Sequence, residues 1–265
     1  MEVRFRWAFL AWMACITVHA QDTQFLPEVD GYLKMNSSIR VYVQAKDDRD
    51  GGDPEQFTFG PSIEFYRKPL VKLKTITLFD LNDAKTRPVV IESGYRVIAA
   101  PDRPVENRAI EAVTFHLPLF ANIVASDRNR ADLDWQAGTF TWRYRNSLTL
   151  ERTFAVGSYH LIPYLQAEPF YESQYSKWSA TDLYVGSLFP VGSHVQFNLY
   201  YEHENNTAGK QNQQNNYVGL ALYLYFSRDS SSRSSPHKRS SVAEVFHGGG
   251  PGSASGPAGA PQALP

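Results

Sequence analysis

A chain of 265 residues with a formal net charge of -1 is long enough for one large domain or two small ones, and it lacks the basic excess that a general nucleic-acid binder carries. Aromatic residues make up 14% and charged residues 20%, and outside the N-terminus no run of about 18 apolar residues offers a transmembrane helix, which leaves barrel strands as the route through a bilayer. The single cysteine, Cys15, falls in the N-terminal leader, so the mature chain is expected to hold no disulfide, zinc cluster or thiol nucleophile.

Residues 1–20 read as a signal peptide. Arg4 and Arg6 give the positive start, Trp7 to Val18 the apolar stretch, and Val18-His19-Ala20 the small-residue cleavage site before Gln21. From Phe25 the pattern becomes strict alternation, the period of a strand with two unlike faces. Val29 and Leu33 oppose Asp30 and Lys34, and Ile39, Val41, Val43 and Ala45 oppose Arg40, Tyr42, Gln44 and Lys46. After a polar loop over Asp47–Glu55, Phe57, Phe59, Ile63 and Phe65 oppose Thr58, Gly60, Ser62 and Glu64, and Pro61 predicts a local irregularity. Residues 68–87 admit three readings: a strand over Val71–Phe79, a crossover, or a segment folded inward.

Val89–Val97 resumes the alternation, with Glu92, Gly94 and Arg96 on one face. Arg108–Phe115 and Ala121–Arg128 form the next pair, followed by a charged loop over Asn129–Gly138. Thr139–Phe154 is the clearest strand. Arg143, Arg145, Ser147, Thr149 and Glu151 lie on one face, and Trp142, Tyr144, Leu148 and Leu150 on the other. Charge on one face and an apolar face with aromatics at its end is the pattern of a strand between lumen and lipid. Ser158–Phe170, Trp178–Phe189 and Val195–Glu202 follow, then a polar loop over Asn205–Asn216, and Tyr217–Phe226 closes the series with Val218, Leu220, Leu222, Leu224 and Phe226 outward. Residues 227–265, rich in Ser, Gly and Pro, read as a disordered tail, and its basic cluster Arg233–Arg239 as solvated rather than nucleic-acid binding.

The expected architecture is therefore all-β: a transmembrane antiparallel up-and-down barrel over 21–226, with about 12 strands and ten as the alternative. Eleven strands are clear, and Val71–Phe79 is the candidate that makes the number even. Pro27-Glu28-Val29-Asp30, Gly60-Pro61-Ser62, the block Ser126–Asp134 with Trp142–Asn146 and Leu148–Arg152, then Pro163-Tyr164, Phe170-Tyr171, Tyr200-Tyr201-Glu202 and Leu222–Phe226 carry a resemblance. On these residues, covering about 25–226, the chain resembles a bacterial outer-membrane β-barrel family of unknown function. The resemblance implies outer-membrane residence, contact with outer-membrane lipid and lipopolysaccharide, and recognition of the last strand, ending at Phe226, by barrel assembly machinery. It brings no catalytic residues and no cofactor.

The candidate functional set is the lumen lining, read as a channel wall or a salt-bridged plug: Asp30, Arg40, Glu64, Glu92, Arg96, Glu111, Arg143, Arg145, Glu151, Gln166 and Glu168. The function it suggests is structural, or passive transport of small polar solutes, with no catalysis. Two alternatives stand beside it. One is a lipid-modifying hydrolase using His203 with Ser173 or Ser176, although no base, nucleophile and orienting group are set together in the sequence. The other is a soluble periplasmic barrel that binds an apolar ligand. Asp127, Asp132 and Asp134 have calcium-type oxygens, but the interleaved Arg128 and Arg130 point instead to a salt-bridged loop, so no metal is expected.

Overall fold

The structure, a computed structural model, describes residues 23–50, 53–66, 80–157, 159–208 and 212–228. The leader 1–20, the candidate strand Val71–Phe79 and the tail beyond Arg228 lie outside the described residues. Among the described residues there are twelve strands: β1 (Thr23–Lys34), β2 (Ile39–Asp50), β3 (Asp53–Tyr66), β4 (Val89–Ala100), β5 (Arg103–Pro118), β6 (Ile123–Gln136), β7 (Thr139–Arg152), β8 (Phe154–Val156), β9 (Tyr159–Glu172), β10 (Lys177–Val191), β11 (Val195–Asn206) and β12 (Gln213–Ser227).

Each long strand pairs antiparallel with the next in sequence, β7 pairing with β9, and the ring closes where β1 lies parallel to β12, from Thr23↔Asn216 to Lys34↔Ser227. The result is a closed all-β barrel of eleven strands, with the three-residue β8 as a twelfth element on the edge of β9. β3 pairs directly with β4 (Phe65↔Ile91, Phe59↔Val97), which leaves no slot between them for another strand. An odd ring has to close on one parallel pair, and that pair satisfies its backbone groups as the antiparallel pairs do. Consequently Thr23 enters at one end of the ring and Ser227 leaves at the other.

The alternation in sequence became the two faces of the wall. Leu148, Leu150, Leu220 and Phe226 are exposed on the outside, whereas Glu151 is buried and Arg143 and Arg145 turn inward to lumen partners. The polar stretches read as loops are mostly strand. β6 runs through Gln136 to a two-residue turn, Ala137-Gly138, both with positive φ, and β11 and β12 remain paired out to Asn206↔Gln213. On β11 and β12 both faces are polar at that end, and on β6 the inward side chains are charged and paired in the lumen while Leu133 and Trp135 face out. The irregularity expected at Pro61 is present: the β3–β4 ladder is interrupted across Gly60-Pro61, where the Arg96 guanidinium donates to the Pro61 carbonyl (2.8 Å).

Candidate functional site

The lumen is lined by the even-numbered residues of every strand from β1 to β6, by the odd-numbered residues of β7, and by the even-numbered residues of β9 and β11. Asp30, Arg40, Glu64, Glu92, Arg96, Glu151 and Glu168 are buried inside, and Arg143, Arg145 and Gln166 line the same space, as expected. Glu111 does not. It is exposed on the outer face of β5, accepting from the Ser93 hydroxyl at 2.7 Å, while Arg108, Ile110, Ala112, Thr114 and His116 form the inner set. Ile110, 1% exposed, fixes this phase, and Phe115 and Leu117 go outward with Glu111.

The inward side chains differ in pairing around the ring. On β4–β7, Arg96, Arg108, Arg128, Arg130, Arg143 and Arg145 form one arc. Asp132 sits among four of them, at 2.5 Å from Arg130, 3.4 Å from Arg143, 3.8 Å from Arg145 and 4.0 Å from Arg108. Arg128 binds Glu92 (2.7 Å), Arg108 binds Asp134 (2.6 Å), and Arg145 pairs with Glu168 and stacks over Phe170 at 4.5 Å. Across the ring, on β10, β11 and β1, lie Asp182, Glu202, Glu204, Glu28 and Asp30, none of which has an ion-pair partner among the described residues. Their partners are hydroxyls and amides instead. Tyr32 donates to Asp30 (2.9 Å), Tyr184 to Asp182 and Glu202 (both 3.2 Å), and Gln44 to Glu28 (2.6 Å).

Most of this arrangement was hidden in the sequence. Arg128, Arg130, Asp132 and Asp134 follow one another at spacing two, which is the strand signal, but the adjoining Asp127 and Asn129 are polar too and mask it. The salt bridges expected of that stretch do form, in the lumen wall. Asp127 points to the outside, away from Asp132, so the three carboxylates do not converge as calcium ligands would.

Part of the 68–87 stretch is described, and residues 80–88 are folded into the barrel. A short 3-10 turn, Asp83–Thr86, is capped by Asn82, whose side-chain oxygen accepts from Ala84 N–H and from Arg40 (2.6 Å). Leu81 N–H donates to Gln196 (3.1 Å) and Lys34 pairs with Asp83, so the segment is tied to β1, β2 and β11. Lys85 reaches β7, bridging Asp80 and Glu151 (2.6 Å). Burial alone would lower the pKa of this ammonium, but Asp80 and Glu151 outweigh burial and hold it above the usual lysine value. Beside this stopper is a cavity of about 250 Å³ lined by Asn82, Lys85, Arg128, Glu151, Gln166 and Asn198, together with Tyr32, Tyr164, Tyr223 and Tyr225.

His203 is on the outer face of β11, bonded to Asn216 Oδ1 (2.9 Å). Ser173 Oγ accepts from Trp142 N–H (2.8 Å), and Ser176 Oγ donates to the Ser173 carbonyl. Each of the three is thus engaged with a group other than its supposed catalytic partner.

Fold and lining together define a closed β-barrel with an apolar outer wall and a charged, partly stoppered lumen. No family model matches the chain, and no curated protein matches it. Among solved structures it is similar to a chain described as a bacterial polysaccharide outer membrane secretin, with a TM-score of 0.46 and 8% identity over 70% of this chain; the match spans 64% of the secretin chain, under two thirds of its length.

Proposed function

We propose that this chain is an outer-membrane barrel, of the kind its motifs resemble, that passes small polar solutes passively through a lumen stoppered by residues 80–88. The observation that carries the proposal is the difference in pairing inside: the arginines on β5–β7 are matched by carboxylates of β4–β6 and of β9, whereas carboxylates on β10, β11 and β1 have no ion pair among the described residues, and a polar cavity of about 250 Å³ lies beside the stopper. A buried carboxylate without an ion-pair partner stays ionised only where water reaches it. A water-filled passage supplies that solvation, and charged side chains along it act on a polar solute in transit. Surrounding lipid and lipopolysaccharide are the partners of the apolar outer wall, and β12, with Phe226 next to its end, is the strand for barrel assembly machinery to read.

Conductance in a planar bilayer tests the proposal. Discrete small currents, more frequent once the Lys85 bridge is removed, are expected. Silence from both the unmodified protein and Lys85→Ala would leave a structural barrel. Release by osmotic shock without detergent would return the soluble ligand-binding reading, and a changed phospholipid or lipopolysaccharide acylation profile in His203→Ala would return the hydrolase.

A further inference from the structure

The outer wall is not uniformly apolar. Around β9–β12 and β1–β3 the mid-strand outward residues include Leu165, Val185, Leu199, Leu220, Val29 and Phe59, and the outward Ser187 beside Leu199 turns its hydroxyl to the Leu188 carbonyl (3.5 Å). On the remaining arc, four adjacent strands place polar groups midway along their outer faces: Ser93 on β4, Glu111 on β5, Asp127 and Asn129 on β6, and Asn146 on β7. They are not at the rim. Trp135, Phe140 and Trp142 lie outward on one side of this stripe, and Phe115, Leu117 and Leu148 on the other.

The stripe is organised. Asn146 Nδ2 donates to Asp127 Oδ1 (2.7 Å) and to Asn129 Oδ1 (3.2 Å), and Asn129 Nδ2 donates to Asp127 Oδ2 (3.3 Å). Ser93 donates to Glu111 Oε1. Tyr144 also donates to Asn129 Oδ1 (2.5 Å), and with two hydrogens per amide nitrogen and about four acceptor positions per carboxylate, one Asn129 N–H and several carboxylate positions are left over. In hydrocarbon that spare capacity goes unmet, and polar side chains on the lipid face destabilise a barrel.

Resting on the membrane residence proposed above, we infer that the outer face of β4–β7 packs against a second copy of this chain within the bilayer. Three features favour a copy over another protein. The stripe retains a spare Asn129 N–H and spare carboxylate oxygens, so the same patch rotated by a two-fold axis can set that donor against Glu111 or Asp127. It occupies one side of the ring, which closes as a pair. Ala109 and Ala131, small and outward beside Glu111, let two walls approach closely. Four strands at about 4.8 Å spacing, over a belt about 25 Å tall, give roughly 1,000 Å² for the two copies together, enough for a specific interface.

A cysteine cross-link in membranes tests this. In a Cys15→Ala background, Ala131→Cys reports on the stripe and Leu199→Cys on the opposite wall. With a short bismaleimide, Ala131→Cys should be captured as a dimer at least ten times more than Leu199→Cys. Adding Asn129→Leu with Asn146→Leu should bring capture down to the Leu199→Cys level. Equal capture at both positions, a product of another size, or Leu substitutions that raise heat stability without reducing the dimer would each overturn the inference. Residence is scored separately on the same sample. Protein retained in the membrane but never paired refutes the pairing alone, whereas protein released by osmotic shock refutes the membrane reading and this inference with it.

Discussion

Replacing Lys85 with alanine should swing residues 80–88 out of the lumen. The Lys85 ammonium lies between Asp80 and Glu151, whose side chains are 0% and 4% exposed, and it is itself 14% exposed. Removing one partner of a buried ion pair costs about 3–5 kcal/mol, because the charges left behind remain desolvated. The segment keeps its bonds to Gln196, Arg40 and Lys34, so the ring should survive and the loss should fall on the stopper. At about 1.4 kcal/mol per tenfold, the population with the stopper out rises by roughly a hundredfold or more. Ala84, 4% exposed against Tyr66 and Val90, is the reporter: maleimide labelling of Ala84→Cys, normalised to Asp102→Cys on an exposed turn, should quicken by that factor in Lys85→Ala. Glu151→Gln, which leaves the Lys85–Asp80 bridge, should quicken it less, by about tenfold. The pH dependence has a definite sign. Lys85 titrates above its unfolded value, so its contribution is complete below that value and lost only as the pH rises through the higher, folded one. Normalised labelling should therefore stay flat from neutral pH to about 10. A rise under threefold in Lys85→Ala, or a larger one in Glu151→Gln, would refute the reasoning.

Two further predictions follow from the wall itself. A Cβ at Gly60 would sit 2.0 Å from the Tyr95 carbonyl oxygen, a backbone atom with no freedom to retreat, whereas at Gly31 it would meet nothing within 4 Å. Gly60→Ala should lower the midpoint of heat-induced unfolding in detergent by an equivalent of about 1–3 kcal/mol or more, with Gly31→Ala near neutral; equal midpoints would sink the close-approach argument. Asp132→Asn removes the carboxylate that four arginines share, so a conducting barrel should move toward anion preference, read as reversal potential in a salt gradient. An unchanged potential in open channels would show that this arc does not border the path.

The legible parts of this fold were those where the two faces differ in chemistry. β7 and β12 announce themselves because Leu and aromatic residues alternate with charge or small residues, and their faces came out as read. β5 did not, because each face is mixed: Ile110 and Ala112 share the inner one with Arg108, and Glu111 shares the outer one with Phe115. Glu111 looked like lumen because a carboxylate facing lipid is costly, and that rule fails where the outer face has its own polar stripe. The stopper was legible as an ambiguity only, since Asp80 to Arg87 has no period of two and its position depends on Arg40, Glu151 and Gln196, each far off in sequence.

The parity of the ring shows where a rule of thumb and the underlying physics part. An even number was expected because both termini of a bacterial barrel usually share one side of the membrane. What a bilayer demands is weaker: every backbone donor and acceptor in the wall must be paired, and closure in either direction achieves that. With eleven strands the twelve-residue match of β1 to β12 is parallel, and the outward residues Val29 and Leu33 are in register with Leu222 and Phe226. The seam thus continues the apolar wall without a break, and inside it Tyr32 stacks on Tyr225 at 4.9 Å and on Tyr42 at 5.0 Å, tying the closing pair to the next strand. The parallel backbone ladder closes this barrel, and hydrophobic matching and aromatic contact reinforce the seam.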